Sequence, residues 1–186
     1  MLIARTLAEA QVYPSLTIAA DRTAPAVEPL PIVPGQNLTE GADAWTLATQ
    51  AGDIAIPYVS EEAARTVGAR FGLGVSHLVD AAQWAEVAAT YARRALEADL
   101  ACTGGPDQDR FGVELNWEFA AEAVGEALKF LPEGADVVPD EGVWSEVGRQ
   151  SRARNPELVT RAKLIDDLEY YRGTLEDFRA FYGGTS

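Results

Sequence analysis

The sequence is almost devoid of the two side chains that most often form cross-links and transition-metal sites. Its 186 residues include one cysteine and one histidine. A single cysteine cannot form an intrachain disulfide, and one cysteine with one histidine cannot complete a Cys/His zinc site. Gly72 and Gly74 match only the start of a dinucleotide fingerprint, because His77 occupies the third glycine position. We therefore expect neither a metal nor an organic cofactor.

Basic residues are also scarce. The chain has 15 Lys and Arg against 29 Asp and Glu, so its formal net charge is −14 and its pI is near 4.4. Nucleic-acid binding needs a basic face that neutralises phosphates, and anionic membrane surfaces attract basic segments. We therefore expect no nucleic-acid partner and no membrane partner.

Long apolar runs are missing as well. No uncharged apolar run approaches the roughly 18 residues that a transmembrane helix requires. Arg5 and Glu9 interrupt the apolar positions of the first 13 residues, which predicts an amphipathic helix rather than a signal peptide. A free thiol at Cys102 is compatible with a reducing compartment. These features predict a cytoplasmic protein.

Proline is concentrated near the N-terminus, where six of the ten prolines precede residue 60. Between them, residues 16–18, 45–47 and 54–56 alternate apolar with small or polar side chains, which is typical of short strands. Residues 29–34 contain three prolines and cannot form a central strand, since proline lacks the ladder donor. The pattern predicts a small antiparallel β or loop-rich layer over residues 14–58.

Helical signals dominate residues 60–182. Ser60 is expected to cap a helix that reaches Phe71, and Asp80 a longer one that ends near Ala101. Further helices are predicted over residues 113–131 and 141–153, and from Asn155 onward with an interruption at Gly173. The fold class is therefore α+β, a mainly helical single domain over residues 1–186 with a small N-terminal β layer.

Most of the excess charge comes from one segment. Residues 107–146 contain 11 carboxylates against Arg110 and Lys129, a net charge of −9, whereas residues 147–186 are close to neutral. Within the segment, four glutamates recur at a spacing of four residues and therefore lie on one helix face. We call them the glutamate stripe; two aspartates precede them. The candidate partner-binding residues are Glu114, Glu118, Glu122, Glu126, Asp107 and Asp109.

Three interpretations of the stripe are open. In the first interpretation, the stripe is a solvated face that keeps an alanine-rich protein soluble. Alternatively, it is a docking surface for a basic protein, because complementary charge speeds encounter and sets specificity. A third possibility is a divalent cation site, since carboxylates alone hold hard cations. The ferritin-like di-metal pattern needs a Glu-x-x-His motif on two helices, and His77 is the only histidine.

Few residues suggest catalysis. His77 follows Ser76, and Cys102 could act as a nucleophile with His77 as its base. The simpler interpretations are a surface histidine and a small apolar cysteine at a helix end. We therefore expect that the protein is not an enzyme. A small hydrolase that uses Cys102 or His77 is the weakest of the alternatives.

Two clusters near the C-terminus contain basic residues. Arg149, Arg152 and Arg154 are expected to face the acidic segment or to lie at a helix C-terminus, where cations are favoured. Tyr170 and Tyr171 lie among basic residues as in a nucleic-acid stacking patch. Aspartates and a glutamate interleave with them, which favours a mixed-charge helix.

Several motifs together carry a family resemblance. They are the segments Thr6–Tyr13, Ser76–Asp80 leading into Trp84–Ala88, Glu126–Asp136 and Trp144–Arg149. In them the chain resembles an uncharacterised family of small acidic bacterial proteins, with no known chemistry. Relatives carry a Cys pair just after the first segment, suggestive of a zinc ribbon. Residues 14–18 contain no cysteine here, so the resemblance implies no metal.

These observations lead to one functional expectation. The chain is predicted to be a non-enzymatic binding protein whose acidic helical face engages a basic protein partner, such as a toxin domain, in the manner of an immunity protein or toxin antagonist. The alternative from another class is a structural subunit of a virion or secretion machine. The oligomeric state is left open.

Overall fold

The computed structural model describes residues 1–21, 37–101 and 107–183, with side chains described except at 17–21, 107–109 and 183. The chain divides into two compact units, residues 1–80 and 81–186. It is a mainly helical α+β protein with a small sheet, as the sequence predicts. The compositional change near residue 60 falls inside the first unit, and the single-domain assignment stays a prediction.

The first unit contains a four-stranded sheet with the order β1-β4-β3-β2. Its strands are β1 (Leu2–Ile3), β2 (Leu38–Glu40), β3 (Ala44–Thr49) and β4 (Gly52–Pro57). The pairs β2–β3 and β3–β4 are antiparallel, but β1 runs parallel to β4, with Leu2 opposite Ile54. The expected antiparallel layer is therefore a mixed sheet. A two-residue strand is too short to show alternation, which is why the sequence does not reveal β1.

One face of this sheet forms the core of the first unit. Ile54 and Ile56 are fully buried, and the strand register places Trp45 and Leu47 beside them on the same face. Helices α1 (Leu7–Asp21) and α2 (Tyr58–Thr66) both contact β4. The prediction of strands at residues 45–47 and 54–56 is confirmed.

The expectation of a strand at residues 16–18 is wrong, because α1 continues to Asp21. Pro14 lies inside this helix, where it removes one backbone hydrogen bond. Val12 and Leu16, one turn apart on α1, are both buried. The free energy gained by burying this helical face outweighs the low helix propensity of the residues around Pro14.

The N-cap of helix α2 lies three residues before the predicted cap. Pro57 occupies the N-cap position, and Ser60 lies within the first turn, where its hydroxyl donates to the Pro57 carbonyl oxygen. The strand β4 therefore leads directly into the helix without a serine cap. The helix ends at Thr66 instead of Phe71, and Gly68 follows it with φ of +70°, a conformation that glycine adopts without strain.

A buried glutamate fixes the start of α1 against the loop before residue 80. Glu9 is fully buried, and its carboxylate accepts from the Arg5 side chain (Nη2–Oε1, 2.7 Å) and from the Ser76 hydroxyl (Oγ–Oε1, 2.5 Å). Arg5 also donates to the carbonyl oxygen of Gly74 at 2.5 Å. The loop passes so close that a Cβ at Gly72 would lie 2.5 Å from the Cβ of Arg5. We call Arg5, Glu9 and Ser76 the buried carboxylate network.

The second unit is built on helices. They are α3 (Ala81–Ala101), α4 (Asp107–Leu128), α5 (Glu146–Arg154) and α6 (Arg161–Gly183). Helix α4 packs against both α3 and α6. Tyr91 of α3 stacks on Phe119 of α4 with ring centroids 4.9 Å apart, and Trp117 contacts Tyr171 of α6 at 5.9 Å. The helix predicted after Asp80 is confirmed with its start at Ala81.

Helix α6 runs without the predicted interruption at Gly173. Leu164, Tyr171 and Leu175 form a buried stripe that continues on both sides of this glycine. Glycine inside a helix costs about 1 kcal/mol relative to alanine. Burying the large side chains of a continuous stripe stabilises the helix by more than this cost.

The four tryptophans are not equivalent. Trp84 and Trp117 are fully buried, whereas Trp45 is half-buried and Trp144 is 38% exposed. Trp84 on α3 and Trp117 on α4 therefore anchor the core of the second unit. Each helix among the described residues is too short or too polar to span a lipid bilayer.

Candidate functional site

The glutamate stripe lies along α4, and half of it is bonded to α6. Glu114 and Glu118 are both half-buried. Arg179, near the end of α6, donates from Nε to Glu114 Oε2 at 2.8 Å and from Nη2 to Glu118 Oε1 at 2.5 Å. The hydrogen bond to Glu114 raises the pKa of Arg179 above its usual value. These two carboxylates therefore already bind a guanidinium group of the same chain.

The other members of the stripe differ in their surroundings. Glu126 is buried, and its Oε1 lies 2.5 Å from Nζ of Lys129. Glu122 is half-buried. Asp107 and Asp109 belong to the first turn of α4, but their side chains are outside the described residues. The shared helix face of the four glutamates is present, and their role in binding a partner stays a prediction.

A second acidic feature follows α4. Residues 130–144, which we call the acidic loop, carry four carboxylates and no basic residue. Phe130 and Trp144 close the loop, because their ring centroids lie 5.7 Å apart. A Cβ at Gly142 would lie 2.6 Å from a methyl carbon of the buried Val138, so a larger residue here would displace that side chain. The carboxylates of the loop are thus held on one short, closed segment.

The start of α6 holds the acidic loop in place. Arg161 donates to the carbonyl oxygens of Pro132 (2.9 Å) and Ala135 (2.7 Å). The backbone N–H of Val138 donates to the carbonyl oxygen of Val159 at 3.0 Å. These bonds use backbone carbonyls, so Arg161 fixes the loop without forming an ion pair with its carboxylates.

Three carboxylates of the loop are exposed and have no ion-pair partner in the described part of the chain: Glu133, Asp136 and Glu141. The fourth, Asp140, bonds Arg152 of α5 at 3.0 Å. Trp144 and Val137, both about 40% exposed, present apolar surface on the same loop. The loop therefore combines three exposed carboxylates that form no ion pair with an exposed aromatic ring, while Arg149, Arg152 and Arg161 bond other atoms of the loop.

The basic cluster on α5 lies where the sequence predicts. Arg152 pairs with Asp140 of the acidic segment, and both Arg152 and Arg154 occupy the last turn of the helix. Arg149 bonds Glu146 of the same segment at 3.1 Å. Hydrogen bonds from Gln150 and Arg149 lower the pKa of Glu146. Both proposed roles of the cluster, facing the acidic segment and completing a helix C-terminus, are therefore present.

The residues considered for catalysis differ in their surroundings. Ser76 is buried and donates its hydroxyl proton to Glu9, while the same oxygen accepts from the amides of Leu78 and Val79. His77 is exposed, and Cys102 lies outside the described residues. A hydroxyl bonded in this way has a structural task, and the hydrolase alternative stays a prediction.

The tyrosine pair on α6 belongs to a mixed-charge helix, as expected. Lys163 pairs with Asp167 one turn along. Tyr171 is buried, and desolvation raises its pKa to about 12. A ring buried against Trp117 is unavailable for stacking on a nucleobase.

Among the described residues, no group of three or more His, Cys, Asp or Glu side chains is arranged to hold a metal ion. No protein-family model, no curated protein and no solved structure matches the sequence.

Proposed function

We propose that this protein is a non-enzymatic binding protein of the cytoplasm that engages a basic protein partner, in the manner of an immunity protein or toxin antagonist. The observation that supports the proposal is the acidic loop, with three exposed carboxylates that form no ion pair with a cation of the described residues. Five other carboxylates of residues 107–146 bond cations of their own chain. The acidic loop, rather than the glutamate stripe, is therefore the first contact for the partner.

The loop has the two properties that a docking surface needs. Its carboxylates attract a basic surface at distances of about one Debye length, roughly 8–10 Å at physiological salt, and so raise the rate of encounter. Trp144 supplies the apolar anchor, since tryptophan is enriched among residues that dominate binding energy. An arginine or lysine of the partner can also lie over the indole face, where cations are attracted by the ring.

We expect reversal of the loop charges to weaken binding of a labelled nona-arginine peptide about tenfold. The variant is Glu133→Lys, Asp136→Lys and Glu141→Lys. Each exposed ion pair contributes roughly 0.5 kcal/mol, so the loss of three corresponds to about one decade in Kd. Fluorescence anisotropy at low and at physiological salt measures the effect.

A matched control separates the loop from net charge. Asp166, Glu169 and Glu176 are exposed carboxylates on α6, and their reversal changes the net charge by the same amount. Equal weakening by the two triple variants contradicts a role for the loop and leaves only non-specific attraction by a protein of charge −14.

A second candidate function, a structural subunit of a larger assembly, has one observation in its favour. Leu100 at the end of α3, Phe111 near the start of α4 and Phe181 near the end of α6 are 80%, 65% and 76% exposed. Because Arg179 of α6 bonds Glu114 of α4, Phe111 and Phe181 lie at the same end of the second unit, and Leu100 precedes the connection that leads to this end of α4. Exposed apolar surface of this kind marks association sites.

Self-association tests this candidate. If the apolar end joins copies of the chain, light scattering coupled to size-exclusion chromatography gives a mass that rises with concentration, and Phe111→Ser with Phe181→Ser returns it to 20.0 kDa. A wild-type protein that stays at monomer mass at several hundred micromolar contradicts assembly through this end.

A further inference from the structure

The contact of Arg179 with the glutamate stripe has an unusual form. Its Nε and Nη2 atoms each donate to a different glutamate, and the two glutamates are one helical turn apart on α4. The arginine is 61 to 65 residues distant in sequence and belongs to another helix. One guanidinium group thus bridges two carboxylates that would otherwise repel each other.

This arrangement shows what the carboxylate pair can bind. Like charges at a spacing of four residues destabilise a helix, and a cation between them removes the repulsion. The planar guanidinium group holds its N–H donors in a rigid arrangement, so it can donate to two carboxylates in different directions at the same time. Glu114 and Glu118 are therefore spaced to accept a guanidinium group, and the observed occupant is one.

The occupant is placed so that it can leave. The Arg179 side chain is 47% exposed, and it lies in the last two turns of α6, which ends at Gly183. Helix termini open at a smaller free-energy cost than helix centres. Phe178 is buried beside it, whereas Phe181 beyond it is largely exposed. Beyond Arg179, the half-buried Tyr182 still contacts α4, because the Arg110 guanidinium lies 5.0 Å from its ring centroid.

We propose that Glu114 and Glu118 form a guanidinium-binding site which Arg179 occupies in the free protein and which an arginine of the basic partner takes over. The inference rests on the proposed function for the basic nature of the partner. When the partner's guanidinium replaces that of Arg179, Glu114 and Glu118 each keep a cationic hydrogen-bond donor. The exchange therefore leaves neither half-buried carboxylate without a cation. Arg179 therefore acts as an internal competitor that lowers the affinity of this part of α4 for other cations.

Removal of the competitor tests the proposal with the same nona-arginine peptide. We expect Arg179→Ala to bind the peptide about fivefold more tightly than the wild type at low salt. Arg172→Ala is the matched control, because Arg172 is exposed on the same helix and its loss changes the net charge equally; its effect should stay below twofold. Adding Glu114→Gln and Glu118→Gln to Arg179→Ala should abolish the gain.

The outcomes are distinguishable from those of the proposed function. Equal affinities of the Arg179→Ala and Arg172→Ala variants overturn the site, even if reversal of the acidic loop weakens binding as expected. A gain that survives Glu114→Gln and Glu118→Gln also overturns it, since the gain then arises elsewhere. A gain that these substitutions abolish supports the site, even if loop reversal has no effect and the proposed function fails. Far-UV circular dichroism verifies that each variant is folded.

Discussion

Replacing Trp117 by alanine is expected to lower the free energy of unfolding by about 3–5 kcal/mol, the usual cost of removing a large aromatic side chain from a core. Trp117 is 1% exposed and contacts two tyrosines of α6, with ring centroids 6.1 Å from Tyr170 and 5.9 Å from Tyr171. The side chain thus joins α4 to α6 at the middle of both helices. Its loss leaves a cavity that helical backbones close only in part.

A second substitution at the same position separates packing from polarity. The indole Nε1 of Trp117 is buried and has no hydrogen-bond partner among the described residues. An unsatisfied buried donor costs about 1–3 kcal/mol. Trp117→Phe removes this donor while it keeps an aromatic ring, so we expect it to destabilise the protein by less than half as much as Trp117→Ala.

Urea unfolding followed by far-UV circular dichroism measures both effects, since the helices give the signal and no tryptophan probe is needed. Phe111→Ala provides the control on the same helix, because Phe111 is 65% exposed and its truncation should change stability by about 0.5 kcal/mol or less. A Trp117→Ala variant as stable as Phe111→Ala would contradict the placement of this ring in the core.

Periodicity explains why much of the helical part is predictable. In α3, Trp84, Val87, Tyr91 and Ala95 share one face by spacing alone, and all four are buried. In α4, Val113, Trp117 and Val124 are likewise buried. Such patterns are local, so the sequence carries them directly. The start of α4 at Asp107 lies before the first apolar residue of its pattern, and for that reason periodicity places it too late.

The errors in the first unit have a different origin. Residues 16–18 alternate like a strand, yet they continue α1 because Val12 and Leu16 are buried on one helical face. The two-residue strand β1 exists only through its pairing with β4, 50 residues later. Contacts between distant parts of the chain decided both cases, and no short window of sequence contains them.

The candidate site shows the same division. Four-residue spacing predicts that Glu114 and Glu118 share a helix face, and this is what α4 provides. Their bonding to Arg179 depends on the antiparallel packing of α4 and α6, which spacing does not reveal. The exposure of Glu133 and Glu141 in turn depends on closure of the acidic loop by Phe130 and Trp144. The sequence located the charge and predicted its pairing with the arginines of α5, but it did not predict the pairing with Arg179.

Removing the buried carboxylate of Glu9 is the other change with a large expected effect. We expect Glu9→Ala to destabilise the first unit by about 3–5 kcal/mol, the typical cost of breaking a buried ion pair by deleting one partner. The side chains of Arg5 and Glu9 are only 14% and 1% exposed, so the remaining guanidinium keeps little access to water. The Ser76 hydroxyl loses its acceptor at the same time.

An exposed pair in the same unit provides the control. Glu62 and Arg65 on α2 form an ion pair at 2.5 Å, but their side chains are 63% and 75% exposed. Because water screens such pairs, Glu62→Ala should cost less than about 1 kcal/mol. Hydrogen exchange of peptides from α1, measured by mass spectrometry, reports on the first unit directly.

A double variant identifies the cause of the Glu9 effect. Replacing Arg5 and Glu9 together by methionine removes the buried charge on both sides, and apolar replacement of a buried pair is often close to neutral. We therefore expect the amides of α1 to exchange more slowly in the Arg5→Met, Glu9→Met variant than in Glu9→Ala, although the double variant has lost two charged residues instead of one. If the double variant is the less stable of the two, the hydrogen bonds of Arg5 to Glu9 and Gly74, rather than the avoidance of an unpaired charge, hold the start of α1 in place.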